Sequence, residues 1–234
     1  MDKLIIKGSA DLRGEISVKG SKNSALPIMV SALLSEDTLK LKNIPKLADI
    51  ENMSKLLRNY GATIKSNRDN IEINCKKIIN KDADYDIVRK MRASILILGP
   101  LLSRFGKAKI SLPGGCAIGT RPIDIHLDGL RKLGANFKVE NGYVVGQVNN
   151  QLIGSHIKLS FPSVGATENI MMAAVKAKGK TIIENAAKEP EIIDLANILN
   201  KMGANIKITN KGMINITGVK KLNEANHKIM SDRI

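Results

Sequence analysis

One loop combines the residue types and the spacing that chemistry at a cysteine would need, Pro113-Gly-Gly-Cys-Ala-Ile-Gly-Thr-Arg121. Its glycines permit backbone conformations closed to other residues and let a ligand approach the chain closely. A positive charge favours the thiolate form of a nearby cysteine, so Cys116, close to Arg121, is a candidate nucleophile. Pro122 suits the first turn of a helix, which puts Arg121 at a helix start, where anions bind. The residues alone leave open a second interpretation, a surface loop with an incidental cysteine.

Three other stretches predict helix starts that carry cations or a hydroxyl. If an approximate threefold axis relates them, they face one region, where Lys22, Arg92 and the Ser163 hydroxyl would attract anions together with the helix dipoles. The alternative is that Lys22 and Arg92 are solvated surface cations. The three stretches are Lys19-Gly-Ser-Lys-Asn-Ser-Ala-Leu-Pro27, Arg89-Lys-Met-Arg-Ala-Ser94 and Phe161-Pro-Ser-Val-Gly-Ala-Thr-Glu168.

An internal repeat is the strongest structural signal in the sequence. The dipeptide Gly-Ala recurs at Gly61, Gly134 and Gly203, which are 73 and 69 residues apart. Apolar residues at positions −11, −8, −4 and −1 before each glycine, with His126 in the second copy as the one polar exception, predict one buried face of a helix, which the glycine ends in a left-handed conformation. Two strand-like runs follow each Gly-Ala, and the pairs Asn141-Gly142 and Lys211-Gly212 supply turns between them. The helix faces are Ile50, Met53, Leu57 and Tyr60, then Ile123, His126, Leu130 and Leu133, then Ile192, Leu195, Leu199 and Met202.

Each repeat predicts the same order of elements, which is strand, helix, strand, helix, strand, strand. No copy can bury its own apolar face, so we expect three copies to pack around a shared core as one α/β domain with a pseudo-threefold axis. The domain would cover 21–220, with repeats at about 21–80, 81–150 and 151–220. Residues 1–20 predict two strands, and 221–234 a linker. We expect both segments to belong to a part of the protein that the chain does not complete.

Two further residues of chemical interest are assigned to the core. His126 lies on a predicted buried helix face, where a lone histidine is typically hydrogen-bonded rather than catalytic. Cys75, on a strand of the first hairpin, is most simply a small buried apolar residue. Cys75 and Cys116 form neither a CxxC motif nor a Cys/His spacing for a metal, so we expect no metal and no cofactor.

The formal net charge of +15 raises the question of nucleic acid, because basic patches supply most of the affinity for phosphate backbones. The lysines are scattered, however, and only 3% of the residues are aromatic, so side chains that would stack on bases are nearly absent. An anionic small molecule fits this charge better. The chain opens on strand-like sequence instead of a signal peptide, and the apolar stretch 95–102 is too short to cross a bilayer. We therefore expect a cytoplasmic protein that binds neither nucleic acid nor membrane.

Four motifs, in the same order along the chain, resemble those of the UDP-N-acetylglucosamine 1-carboxyvinyltransferases, members of the enolpyruvyltransferase superfamily that begin peptidoglycan synthesis and cell wall biogenesis. The cysteine loop is the most specific of the four, and the resemblance spans the whole chain. It implies an inside-out α/β architecture, in which two domains of three repeats each enclose the substrates in a cleft. The motifs are Gly20-Ser-Lys-Asn-Ser-Ala-Leu-Pro27, Met91-Arg-Ala-Ser-Ile95, Leu112-Pro-Gly-Gly-Cys-Ala-Ile-Gly-Thr-Arg-Pro-Ile-Asp124 and Pro162-Ser-Val-Gly-Ala-Thr-Glu168.

The resemblance also implies a reaction and a role for each matching residue. The enolpyruvyl group of phosphoenolpyruvate moves to the 3-hydroxyl of UDP-N-acetylglucosamine, and phosphate is released. Lys22 and Asn23 match residues at the phosphoenolpyruvate site. Cys116 matches a cysteine that forms an adduct with phosphoenolpyruvate, is credited with proton delivery, and is the target of fosfomycin. The residues that match the nucleotide-sugar site are Arg92, Arg121, Pro122, Ile123, Asp124, Ile125, Ser163, Val164 and Gly165.

Members of this family are nearly twice as long as this chain. The resemblance therefore implies that the chain holds the first domain and lacks the C-terminal one, which carries the general-base aspartate and further arginines. It also implies that the two strands of 1–20 belong to that missing domain and that 221–234 lead toward it. We expect the chain alone to be inactive and the C-terminal domain to be its necessary partner. A different class of function stays open, a non-catalytic, cationic module on the same scaffold that binds a nucleotide sugar or regulates.

Overall fold

The computed structural model describes residues 3–8, 11–79, 91–111, 123–209 and 212–234. Three copies of a helix, a strand, a second helix and a β-hairpin follow one another in these ranges, as predicted. The strand predicted before each first helix is present, among the described residues, only in the third copy. The first copy has its first helix capped by Ser21, whose hydroxyl accepts the Ser24 N–H at 3.4 Å. Its elements are α1 (Lys22–Ser31), a short 3-10 turn (Ala32–Leu34), β1 (Thr38–Lys42), α2 (Ala48–Asn59), β2 (Thr63–Asn67) and β3 (Asn70–Asn74).

The second copy differs from the others in its first helix. This helix begins as a 3-10 helix and becomes an α-helix only at Leu98. The hairpin turn at Asn141 and Gly142 has positive φ at both residues, 50° and 77°, as the Asn-Gly pair predicts. The elements are a 3-10 helix (Arg92–Ile97), α3 (Leu98–Phe105), β4 (Lys107–Ser111), α4 (Asp124–Lys132), β5 (Ala135–Glu140) and β6 (Tyr143–Val148).

The third copy is the most complete in sequence order, since its first strand precedes its first helix. That strand pairs in parallel with the strand after the helix, with Ile157 opposite Ile183. The elements are β7 (His156–Lys158), α5 (Val164–Ala174), β8 (Lys180–Glu184), α6 (Pro190–Lys201), β9 (Asn205–Ile208) and β10 (Ile214–Thr217), after which β11 (Ala225–Lys228) follows.

The described strands form three separate sheets, one for each copy, in the orders β11-β1-β3-β2, β4-β6-β5 and β7-β8-β10-β9. Each sheet buries one face and exposes the other. The first helices of the copies are buried almost throughout, as the runs Ser24–Ser31 of α1 and Ala166–Ala174 of α5 show. Helices therefore occupy the centre of the molecule and sheets its outside, which confirms the predicted inside-out α/β arrangement.

The three repeat glycines end the second helices as predicted. Gly61, Gly134 and Gly203 have φ values of 102°, 98° and 103°, a region that favours glycine. Each donates its N–H to the carbonyl three residues earlier, at 2.8–2.9 Å. In the first and third copies the next residue, Ala62 or Ala204, donates to the carbonyl five residues earlier at 3.0 Å, which completes a Schellman motif.

Both terminal segments differ from the prediction. Residues 3–8 and 11–19 form no strand, and Leu4, Ile6 and Ile16 are 86–91% exposed. A strand needs a neighbouring strand for its backbone groups, and in these ranges the backbone bond to another segment is the one from the Asp232 N–H to the Lys19 carbonyl. In 221–234, expected to be a linker, Ala225–Lys228 forms β11, which pairs in parallel with β1. The first sheet thereby gains the parallel strand that β7 gives to the third. That the two segments belong to a second domain stays a prediction.

Candidate nucleotide-sugar site

The start of α1 carries the two residues predicted to bind phosphoenolpyruvate. Because Ser21 caps the helix, Lys22 and Asn23 occupy its first turn, where backbone N–H groups point outward. The Lys22 ammonium lies 3.1 Å from Oδ2 of Asp49, in the first turn of α2, and both side chains are partly exposed. Asn23 is exposed. An anion bound at this helix start would meet the Lys22 ammonium, which the Asp49 carboxylate holds in place.

The equivalent start in the second copy begins at Arg92, the first residue of the 3-10 helix. The side chain of Arg92 lies outside what the structure describes, as do Cys116, Arg121 and Pro122 in full. Their predicted roles therefore stay predictions. The described part of this region resumes at Ile123, which precedes α4.

The start of α4 carries three of the residues predicted to bind the nucleotide sugar. Ile123 is the N-cap position, and its carbonyl accepts the Leu127 N–H at 3.1 Å. Asp124 is exposed in the first turn, whereas Ile123 and Ile125 are half-buried against the core. The exposed groups at this helix start are thus a carboxylate and backbone N–H groups.

The start of α5 carries three more of the residues predicted to bind the nucleotide sugar, Ser163, Val164 and Gly165. Ser163 caps the helix with its hydroxyl, which accepts the Ala166 N–H at 3.3 Å, and its carbonyl accepts the Thr167 hydroxyl at 2.8 Å. Val164 and Gly165 form the first turn and are half-buried. As an eleven-residue α-helix, α5 presents unpaired N–H groups and a partial positive charge at this end.

Packing brings the starts of α4 and α5 together. A Cβ added at Gly165 would lie 3.2 Å from Cε1 of His126, the residue that follows Ile125. α5 also packs against α4 and the 3-10 helix, and α1 packs against α5 and the 3-10 helix. Within the described ranges, however, no hydrogen bond or ion pair joins Lys22 or Asn23 to residues 163–165. The structure thus groups the predicted nucleotide-sugar segments around His126.

His126 is buried and hydrogen-bonded, as predicted, at 9% exposure. Its Nδ1 lies 3.2 Å from Nδ2 of Asn169. Asn169 itself is fully buried on α5 and was not singled out from the sequence. The signal was present, because Asn169 belongs to a polar triplet that precedes the apolar run Ile170–Ala174 of a buried helix. Asp49 was not singled out from the sequence either. Its position was a signal, because the third copy also has an acid, Glu191, at the same distance before its repeat glycine Gly203 as Asp49 has before Gly61.

Glu168, the middle residue of the triplet Thr167-Glu168-Asn169, is a buried acid. Glu168 is 4% exposed, and its Oε1 has no hydrogen-bond partner. Burial raises the pKa of this carboxyl well above its usual range, and the nearby Glu191 and Glu189 raise it further. Counted from the helix start, Glu168 stands where the other copies have Leu26 and Leu96. An acid that favours its neutral form thus occupies an apolar position.

The described residues hold no group of three or more His, Cys, Asp or Glu side chains that could bind a metal ion. Nor does any helix in those ranges have the length and apolar character to cross a membrane. What the described helix starts present is backbone N–H groups, the Ser163 hydroxyl, the Lys22 ammonium and the carboxylates of Asp49 and Asp124.

The three-repeat α/β fold, with its helices inside and its sheets outside, belongs to a known protein family. Residues 6–234 match the EPSP synthase (3-phosphoshikimate 1-carboxyvinyltransferase) family, and the chain belongs to that family. Among its relatives, the UDP-N-acetylglucosamine 1-carboxyvinyltransferase of Geotalea uraniireducens is 50% identical over 234 residues, and UDP-N-acetylglucosamine 1-carboxyvinyltransferase 2 of Carboxydothermus hydrogenoformans is 51% identical. Both alignments cover 100% of this chain and 56% of the relative. The chain thus spans about half the length of the curated relatives it matches.

Solved structures share the fold at low sequence identity. The enolpyruvyl transferase NikO from Streptomyces tendae superposes with a TM-score of 0.83 at 19% identity, over 94% of this chain and 52% of NikO. EPSP synthase from Acinetobacter baumannii gives a TM-score of 0.75 at 20% identity, over 94% of this chain and 50% of that enzyme. At such identities the likeness establishes the architecture alone.

Proposed function

We propose that this chain forms the nucleotide-sugar side of an enzyme that transfers the enolpyruvyl group of phosphoenolpyruvate to the 3-hydroxyl of UDP-N-acetylglucosamine. In this transfer the sugar oxygen forms a bond to the enolpyruvyl carbon and loses its proton, the bond from that carbon to the phosphate oxygen breaks, and the phosphate leaves with a proton that balances the one lost by the hydroxyl. The observation that carries the proposal is the packing of the α5 start against α4, where a Cβ at Gly165 would lie 3.2 Å from the His126 ring, because it joins the two described segments predicted to hold the nucleotide sugar. The carboxyvinyltransferase relatives, at about half identity over the whole chain, support the same substrate.

Each part of the site has a chemical role in this proposal. The N–H groups at the start of α5, with the Ser163 hydroxyl, bind the diphosphate of the nucleotide sugar. Asp124 and the neighbouring Arg121 contact its uridine end. Lys22, oriented by Asp49, and Asn23 bind phosphoenolpyruvate. Arg92 contacts the sugar nucleotide from the second copy.

Cys116 is the proposed acid and nucleophile. Protonation of the methylene carbon of phosphoenolpyruvate needs a positioned acid, and a thiolate can form a covalent adduct with the resulting cation. The thiolate would also open the epoxide of fosfomycin, with a new carbon–sulfur bond and a proton taken up by the ring oxygen. A cytoplasmic location and a role in peptidoglycan synthesis complete the proposal.

The nucleotide-sugar site is tested by calorimetric titration of the purified chain with UDP-N-acetylglucosamine. Asp124→Asn should weaken binding roughly tenfold, the effect of losing about one hydrogen bond to a charged group. Asp128→Asn is the matched control, because Asp128 lies on the same helix and is exposed beside Arg131. Absence of binding by the unchanged chain would contradict the proposal.

The cysteine is tested by mass spectrometry after incubation with fosfomycin, with and without UDP-N-acetylglucosamine. We expect an adduct on Cys116 that the nucleotide sugar promotes and that Cys116→Ala abolishes. Nucleotide-sugar binding without any adduct would favour the second candidate, a non-catalytic nucleotide-sugar-binding module. Transfer itself would be measured as phosphate release by the chain joined to the C-terminal part of the Geotalea uraniireducens relative.

A further inference from the structure

The first helix of the second copy is interrupted by a side chain from the third. In a regular α-helix the Gly99 N–H would bond the Ile95 carbonyl. Here the Gly99 N–H donates to Oδ1 of Asn169 at 2.7 Å, and Nδ2 of Asn169 donates to the Ile95 carbonyl at 3.0 Å. Insertion of a side chain into the helical hydrogen-bond ladder changes the direction of a helix. The insertion lies where the 3-10 helix meets α3.

The contact requires both partners to approach closely. A Cβ at Gly99 would lie 2.3 Å from the Asn169 carbonyl oxygen and 2.5 Å from its Oδ1, distances that no side chain tolerates. Asn169 is 0% exposed. Its amide therefore has no alternative partner in water, and both of its polar atoms are bonded within the protein.

The same amide also reaches His126 of α4, whose ring lies beside the start of α5. Nδ2 of Asn169 lies 3.2 Å from Nδ1 of His126 on α4, and the ring of His126 touches the position of Gly165. Gly165 and Asn169 are four residues apart on α5, so they lie on one helical face. One buried amide thus connects the helix that begins at Arg92, the start of α4 and the start of α5.

We propose that Asn169 is a positioning residue for the nucleotide sugar, which it does not touch. Its amide fixes the direction of the 3-10 helix that begins at Arg92 relative to the starts of α4 and α5, with His126 as the intermediate. The inference rests on the proposed function, since the nucleotide sugar is the ligand that these three segments would share.

The test compares affinity for UDP-N-acetylglucosamine in the unchanged chain, Asn169→Asp and Asn200→Asp. Asn169→Asp keeps the acceptor for the Gly99 N–H but replaces the donor that faces Ile95. Asn200 is the matched control, because its amide also bridges a backbone pair, the N–H and carbonyl of Ile206, at 2.9 and 3.0 Å. That contact lies at the far end of α6, away from the helix starts. We expect the dissociation constant to rise roughly tenfold for Asn169→Asp and to change less than about twofold for Asn200→Asp.

A second measurement separates positioning from stability. All variants are titrated well below their unfolding midpoints, and His126→Ala is combined with Asn169→Asp. If both residues act through one contact, the double variant binds no more weakly than the weaker single variant. Equal affinity of Asn169→Asp and Asn200→Asp would overturn the inference, whatever their unfolding midpoints. If Asn169→Asp does not fold, Asn169→Ser, which removes the bridge without adding a charge, decides by the same comparison.

The two proposals fail in different ways. Failure of the unchanged chain to bind UDP-N-acetylglucosamine would overturn the proposed function and this inference with it. Binding by the unchanged chain together with unaltered binding by Asn169→Asp or Asn169→Ser would overturn the inference alone.

Discussion

The hydroxyl of Ser24 donates to Oδ2 of Asp194 at 2.5 Å, across 170 residues of sequence. This bond joins α1 of the first copy to α6 of the third. The same carboxylate also lies 2.8 Å from Nε2 of His227 on β11 and accepts the Met230 N–H at 3.1 Å. Nδ1 of His227 lies 3.2 Å from the Lys201 ammonium. Asp194 therefore holds the first copy, the third copy and the C-terminal strand together.

We expect Asp194→Asn to destabilise the protein by about 2 kcal/mol at neutral pH, because several hydrogen bonds to a charged acceptor are weakened. Burial alone would raise the pKa of Asp194, but the hydrogen bonds from His227, Ser24 and Met230 outweigh it and lower the pKa below the ordinary 3.8. The contribution is therefore present above pH 3.8 and is lost as the pH falls below it, through the lower pKa of the folded protein. Urea unfolding of both proteins across acidic pH measures this.

Asp128→Asn serves as the comparison, since Asp128 is exposed and paired with Arg131 at the surface. It should change the free energy of unfolding by less than about 1 kcal/mol at any pH. A difference between Asp194→Asn and the unchanged chain that persisted undiminished at the lowest pH would contradict the prediction.

Glu168 should show the opposite pH dependence. Its pKa is raised in the folded protein, so above the ordinary value of 4.5 the folded state retains a proton that the unfolded chain loses, and stability falls as the pH rises. Glu168→Gln removes this pH dependence, because the amide does not titrate. We expect a gain in stability at neutral pH, instead of the loss of roughly 1 kcal/mol typical of substitutions, and the gain should vanish below pH 4.5. Glu51→Gln, exposed on α2, should show no such trend in the same unfolding experiments.

The three repeat glycines allow backbone strain to be separated from steric overlap. All three have positive φ, so alanine should cost about 1–2 kcal/mol at each. A Cβ at Gly134 meets nothing within 4 Å, whereas at Gly61 it would lie 2.4 Å from the Lys77 carbonyl oxygen. The unfolding temperature of Gly61→Ala should therefore lie well below that of Gly134→Ala. The unfolding temperature of Gly203→Ala should be close to that of Gly134→Ala. Gly8→Ala, without positive φ or neighbours, should match the unchanged chain, and equal losses at Gly61 and Gly134 would refute the steric part.

The two cysteines should differ in reactivity. Cys75 is fully buried, and burial raises its pKa to about 12 despite the nearby Arg104. At pH 8 only about one Cys75 in ten thousand would be a thiolate, so iodoacetamide should label Cys116 and leave Cys75 untouched until the chain is unfolded. Peptide mass spectrometry with Cys116→Ser as the control tests this. Rapid labelling of Cys75 in the folded control would contradict it.

Local sequence patterns were sufficient for the helices and hairpins of the three copies. Apolar residues spaced for one helical face, ended by glycine, identify α2, α4 and α6 because burial and capping act within a few residues. The same reasoning failed for Ala225–Lys228, whose Ala-Asn-His-Lys sequence has no strand pattern. These residues are a strand because β1 offers an edge and Asp194 holds His227, and such long-range partners override local preference.

The candidate site likewise contains residues that local sequence patterns predict and residues that they do not. Lys22, Asn23 and Ser163 could be found from the sequence, since helix caps and first turns have local signatures. Asn169 could not be assigned a role, because its partners Gly99 and His126 are 70 and 43 residues away. A buried polar residue in an apolar helix indicates that it has a hydrogen-bond partner, but it does not identify that partner.

The parallel pairing of β11 with β1 has a consequence for the order in which the protein matures. β1 is synthesised well before β11, the strand that covers its edge, and the Asn43 side chain can bond the Ile229 carbonyl only after 186 further residues have been added. Contacts between residues so far apart slow folding, and an uncovered strand edge invites pairing with other chains. The first of the three repeats is therefore completed only after the third has been synthesised.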